Sequence, residues 1–110
     1  MEDQSEVLVT SKALIDKEPS KVRRFLQGVI NGVVFIASNR EESIEILGKI
    51  TRQPRPILEK TYDFFQPFMN AKVNMKGIET LNEYLRDFGL VNIGRDLRAF
   101  VDLQFLPRGQ

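Results

Sequence analysis

Three clusters in this 110-residue sequence have side chains of the types that do chemistry. Glu79, Glu83 and Asp87 recur every four residues, which puts them on one face of a helix. Such a row could hold a divalent cation, or act as a paired-carboxylate site if the carboxyls stood about 5 Å apart in a cleft. All three, however, fall off the apolar stripe Ile78, Leu81, Leu85 and Phe88. Arg86 is also three residues from Glu83, close enough to pair with it. The plainer expectation is a solvated helix face. Lys49, Arg52, Arg55 and Lys60 form a basic cluster opposed only by Glu59. Phosphate binding is the chemistry it could offer. It lacks interleaved aromatics and a recognition-helix signature, so a basic surface loop is expected instead. Arg23-Arg24 is a weaker signal of the same kind. Tyr62, Phe64, Phe65 and Phe68 gather around Pro67. They could line a ligand pocket, but packing at a helix end is expected, with about 1.5–3 kcal/mol for each ring buried.

Composition narrows the field further. There is no cysteine and no histidine. Disulfides, thiolate metal sites, cysteine nucleophiles and histidine-based catalysis are therefore excluded. No Gly-rich phosphate loop, zinc-ligand spacing, nucleophile elbow or kinase signature occurs. The expectation is a non-enzyme with no catalytic residue, no metal and no cofactor. Sixteen basic residues against fifteen acidic ones leave a net charge of +1, which removes the main electrostatic case for a nucleic-acid or membrane-surface binder. With 42% apolar and 28% charged residues, the chain reads as one globular domain spanning 1–110. Residues 1–6 are acidic and lack the basic and apolar regions of a secretory signal. The longest near-apolar run, Val29 to Ala37, is interrupted by Asn31 and Gly32. It falls far short of the roughly 20 residues that span a bilayer.

These side chains must be held by a mainly α fold. Val7-Leu8-Val9-Thr10 reads as one short strand, and no second strand follows to pair with it. Ser11 caps a short helical turn to Asp16. Pro19 opens a long helix, with Val22, Phe25, Leu26, Val29, Ile30, Val33 and Val34 along one stripe and an end near Ala37. Asn39 and Glu42 suggest a capping box for the next helix, whose buried face is Ile44, Leu47 and Ile50. After a break at Thr51 to Pro56, whose two prolines fit the first turn of a helix, a helix with Ile57, Leu58, Tyr62 and Phe65 stops by Pro67, at Gln66. Asn74 caps a last long helix that Gly89 ends. Asp96 to Phe100 adds a turn, and Val101 to Leu106 is expected to be extended. Gly28 and Gly32 each cost about 1 kcal/mol within a helix, which predicts a neighbouring element packed close to that backbone.

The order of these pieces resembles a known family. The residues concerned are Val7 to Ile15, Pro19 to Leu26, Gly28-Val29, the Asn39 to Leu47 cap and helix, Gly77 to Leu85, Gly89-Leu90 and Val101 to Leu106. Together they resemble the C-terminal portion of ABC-transporter substrate-binding proteins of the nitrate, sulfonate, taurine and thiamine-pyrimidine-precursor type. The resemblance implies a fragment of a longer, bilobed α/β periplasmic binding protein, exported or periplasmic. It would capture a small organic solute, such as a sulfonate, nitrate or a pyrimidine, for a membrane permease. It assigns no ligand-binding residue here. It does imply that the lone strand and the two costly glycines face a lobe sheet. Without that sheet, apolar faces around Val7, Val9, Val29 and Val33 would lack cover, so self-association is expected, including strand exchange. The alternative is a stand-alone helical protein-interaction module using the same stripe. A weaker third reading is a nucleic-acid accessory module built on Lys49 to Lys60.

Overall fold

The computed structural model describes residues 6–90 and 97–106. It contains α1 (Lys12–Lys17), α2 (Pro19–Ser38), α3 (Arg40–Thr51), α4 (Arg55–Phe65) and α5 (Met75–Asp87). Single 3-10 turns lie at Gln66–Phe68 and Leu97–Phe100. The fold is mainly α, as its apolar periodicity implies. The expected strand is not there: no strand occurs among the described residues, and Val7 to Thr10 runs without regular structure. Val9 is 87% exposed. β-branched composition alone does not make a strand when no second segment accepts its backbone hydrogen bonds.

Helix ends follow local chemistry, with one exception. Ser11 Oγ accepts from the Leu14 N–H at 3.1 Å and starts α1. Pro19 is the first residue of α2, where a missing N–H is harmless. Asn74 Oδ1 accepts from the Gly77 N–H at 2.9 Å and opens α5. At the far end of α5, Gly89 takes φ +70°, and Leu90 N–H reaches back to Leu85 O at 2.8 Å. That is the left-handed stop a glycine supplies. The exception is Asn39. Its side chain does not cap α3 but donates to Phe35 O at 3.0 Å, closing α2 instead. No capping box forms. Glu41 and Glu42 still occupy the first turn of α3, where the helix dipole favours negative charge.

α4 ends at Phe65 with Gln66 as its C-cap, where the helix was expected to stop ahead of Pro67. The chain then continues as the 3-10 turn Gln66–Phe68, with Met69 N–H bonded to Gln66 O at 3.1 Å. In the tail, Leu97–Phe100 makes the expected turn, while Asp96 lies outside the described residues. Val101 to Leu106 is not extended throughout: Leu106 N–H bonds Leu103 O at 3.1 Å. Asp102 Oδ1 accepts from the Gln104 N–H at 3.0 Å. Aspartate side chains bond backbone two residues on in this way and bend the chain.

Two compact units emerge, one from residues 1–23 with 72–110 and one from Arg24–Ala71. In the first, Val22 and Phe105 are buried. The Arg23 guanidinium lies 5.4 Å from the Phe105 ring centroid, a cation–π distance. Arg98 Nε meets Glu79 Oε1 at 3.1 Å and ties the Leu97–Phe100 turn to α5.

The second unit is built on α3 against α4. Ile44 is fully buried and Leu58 nearly so. A Cβ added at Gly48 would stand 3.0 Å from Leu58 Cδ1, so the absence of a side chain lets the two helices approach. Close packing was expected at Gly28 and Gly32. Beyond its own helix backbone, neither has an atom within 4 Å of the place its Cβ would occupy. Alanine at either position should therefore add helix propensity without a clash. We expect Gly28→Ala and Gly32→Ala each to raise stability by about 1 kcal/mol, read as a rise in thermal midpoint.

Arg52, which ends α3, has φ +56°. Its N–H bonds Gly48 O at 2.8 Å. A side-chain-bearing residue in the left-handed region is strained by roughly 1–2 kcal/mol. Arg52→Gly should recover about 1 kcal/mol of that in urea denaturation, with no change in helix content.

Candidate functional site

Among the described residues, the site with the most exposed aromatic surface is the end of α4. Phe64 is 65% and Phe68 71% exposed, and Phe65 and Met69 are also open. The sequence led us to expect these rings inside a helix end; the structure leaves them outside. They nevertheless hold one another. Phe64 and Phe65 meet edge to face at 5.0 Å, and Phe64 and Phe68 stand 6.0 Å apart. Both distances fall in the favourable range for aromatic pairs. The reason they stay outside lies in the geometry of α4. Leu58 occupies its single buried position, and consecutive aromatics at 64 and 65 lie about 100° apart around a helix. Tyr62 alone of the cluster turns inward. It is half-buried, and its hydroxyl donates to Ile36 O near the end of α2.

A network of ion pairs braces α3 on α4 beside this surface. Arg40 binds Asp63 through two nitrogens, Nε to Oδ1 at 3.1 Å and Nη2 to Oδ2 at 3.0 Å. Arg55 reaches Glu59 at 2.9 Å and also holds Glu41. Arg40 contacts Glu41 at 3.2 Å and lies 5.7 Å from the Tyr62 ring centroid. The fork geometry of guanidinium suits carboxylates in this paired way. Hydrogen bonding from Arg40 holds the Asp63 carboxyl below the usual carboxylate range. Hydrogen bonding from Arg55 does the same for Glu41. All four groups are exposed to solvent, so salt screens them.

Carboxylates depressed in the folded state stabilise it above their unfolded pKa and lose that contribution as pH falls through the folded values. Stability should therefore fall as pH drops below the ordinary carboxylate range and on through the depressed folded values. Asp63→Asn and Glu41→Gln variants should show a shallower acid dependence than the wild type. Urea midpoints measured across that range check this.

The other sequence-derived candidates do not come together. Of the α5 carboxylates, Glu79 is engaged by Arg98, while Glu83 and Asp87 are exposed. No ion pair joins Arg86 to Glu83, and no cluster of three metal-ligating side chains occurs among the described residues. In the basic cluster, Arg55 is taken up by Glu41 and Glu59. Glu41 is fourteen residues away in the chain, outside the local charge balance of the cluster. Lys49, Arg52 and Lys60 remain exposed.

The apolar stripe of α2 is divided. Val22 is buried, Leu26, Val29, Ile30 and Val33 are half-buried, and Phe25 and Val34 are exposed. On α3, Ile50 was expected in the core but is 75% exposed. On α5, Phe88 is likewise exposed, whereas Ile78, Leu81 and Leu85 are half-buried. No helix among the described residues is long and apolar enough to cross a membrane. No protein-family model, curated protein or solved structure matches the chain.

Proposed function

We propose that this chain is a helical protein-interaction module with no chemistry of its own, and that another polypeptide covers part of its apolar surface. The observation that carries this reading is the braced, exposed ring cluster of Phe64, Phe65 and Phe68 with Met69. Large contiguous apolar patches on soluble proteins mark interaction sites. Aromatic residues and methionine are also the types enriched at interface cores. The α3–α4 core beneath it supplies a preorganised support, which lowers the cost of binding. A photo-crosslinking amino acid placed at Phe64, in cells that make the protein, tests this. A discrete cross-linked polypeptide is expected there and not from the same probe at Glu83. Equal labelling at both positions, or none at Phe64, would remove the reading.

A second reading keeps the chain as part of a solute-binding receptor of the transporter type it resembles. Open space above Gly28 and Gly32 on α2 favours it, since a closely packed lobe would fill that space. The strand that motivated it has gone, so its support is now that helix face and the order of residues. Titration with nitrate, a sulfonate and a pyrimidine, followed by thermal shift, tests it. A saturable rise in melting temperature with one of them is the expected result; no rise with any counts against it.

A further inference from the structure

Opposite the buried face of α3 lies a second stripe. Glu42, Ile46, Lys49 and Ile50 are spaced by four, seven and eight residues from the first, so they share one side of the helix. All four are exposed, and Ile50 more so than Ile46. Ile44, fully buried, and Gly48, which lies against Leu58 of α4, point the other way. Glu45 and Arg52 flank the stripe and are also exposed. Among the described residues, none of Glu42, Glu45, Lys49 or Arg52 takes part in an ion pair, unlike Arg40, Glu41, Arg55 and Asp63 on the α4 side. The stripe is acidic in its first half, basic in its second, and apolar along its middle.

We propose that this face docks on the same face of a second copy, with the two α3 helices antiparallel about a two-fold axis near Ile46. The proposal rests on the interaction-module reading and names the partner for a different face of the same unit. Charge complementarity singles out a second copy. Reversing the stripe sets Glu42 and Glu45 of one chain against Lys49 and Arg52 of the other. Symmetry then makes each contact twice. Ile46 meets Ile46 at the axis, and Ile50 of each chain lies beside the start of the other's stripe. A parallel arrangement would oppose like charges. A net charge of +1 leaves little overall repulsion between copies. Two isoleucines per chain make a small interface, so the dimer is weak and salt-sensitive, with a dissociation constant on the order of 10–100 micromolar.

Sedimentation of the full chain at low salt tests this with a charge exchange. The wild type should associate as concentration rises. Glu42→Lys and Lys49→Glu should each lower self-association tenfold or more, with circular dichroism unchanged. Mixing the two variants should restore association, because each then opposes the other's charge, and the double variant should self-associate like the wild type. A monomeric wild type at several times the expected dissociation constant overturns the proposal. So does association that neither single change reduces, or a mixture no stronger than its parts. The Phe64 cross-linking result is independent of all three, so a failure here is distinguishable from a failure of the interaction-module reading.

Discussion

Ile44→Ala is expected to cost about 2–5 kcal/mol, the usual range for truncating a large buried aliphatic side chain. Ile44 on α3 is fully buried, and Leu58 on α4 is the other buried apolar side chain of the second unit. Only Val22 and Phe105 join them as buried apolar side chains among the described residues. Few other contacts can compensate, and a domain of this size has only about 5–15 kcal/mol in total. The lost methyl groups also leave a cavity that two helices already braced by Arg40–Asp63 and Arg55–Glu41 cannot readily close. Urea denaturation followed by far-UV circular dichroism should show a large fall in midpoint with the ion pairs unaltered. A loss under 1 kcal/mol would mean that α3 and α4 do not share the core described here.

Gly48→Val should be the second most damaging change, at about 1–3 kcal/mol from overpacking. Even a Cβ at Gly48 would come within 3.0 Å of Leu58 Cδ1, and valine adds two further methyl groups to it. Leu58 is nearly buried and has little room to retreat, so the helices must separate. The diagnostic is coupling. Combined with Leu58→Ala, which frees the space, Gly48→Val should cost markedly less than it does alone, a non-additivity expected of residues in contact. Additive effects would show that the close approach is not at this pair.

Much of the helical layout was legible from local signals. Ser11, Pro19, Asn74 and Gly89 each mark a helix boundary for a reason contained in their own side chains, and each stands where that reason puts it. Apolar periodicity found the helices but not the depth of their residues. Ile44 and Ile50 belong to the same helix and are both isoleucine, yet one is sealed and the other open. That difference is set by where α4 lies, which no spacing within α3 records. Asn39 does not cap α3 because its amide nitrogen turns back one turn to donate to Phe35 O, which takes its oxygen away from the first turn of α3. The strand at Val7 to Thr10 failed because a strand is a property of a pair, and composition describes one segment at a time.

The aromatic end of α4 shows the same limit. Rings are usually buried, so a cluster of them suggests an interior; only the position of Leu58 and the turn through Pro67 reveals that these rings face out. The ion pairs between α3 and α4 join residues 14 and 23 apart, beyond any helical pairing rule.

Ser38 ends one helix and Arg40 begins the next, with Asn39 alone between them. A junction that short has no slack. Lengthening it by a residue would have to be absorbed by unwinding a neighbouring turn or by re-aiming everything that follows. The stretch from Met69 to Asn74, which belongs to no helix, can take up extra length locally. Reporter peptides or loop insertions should be tolerated there and rejected at the junction.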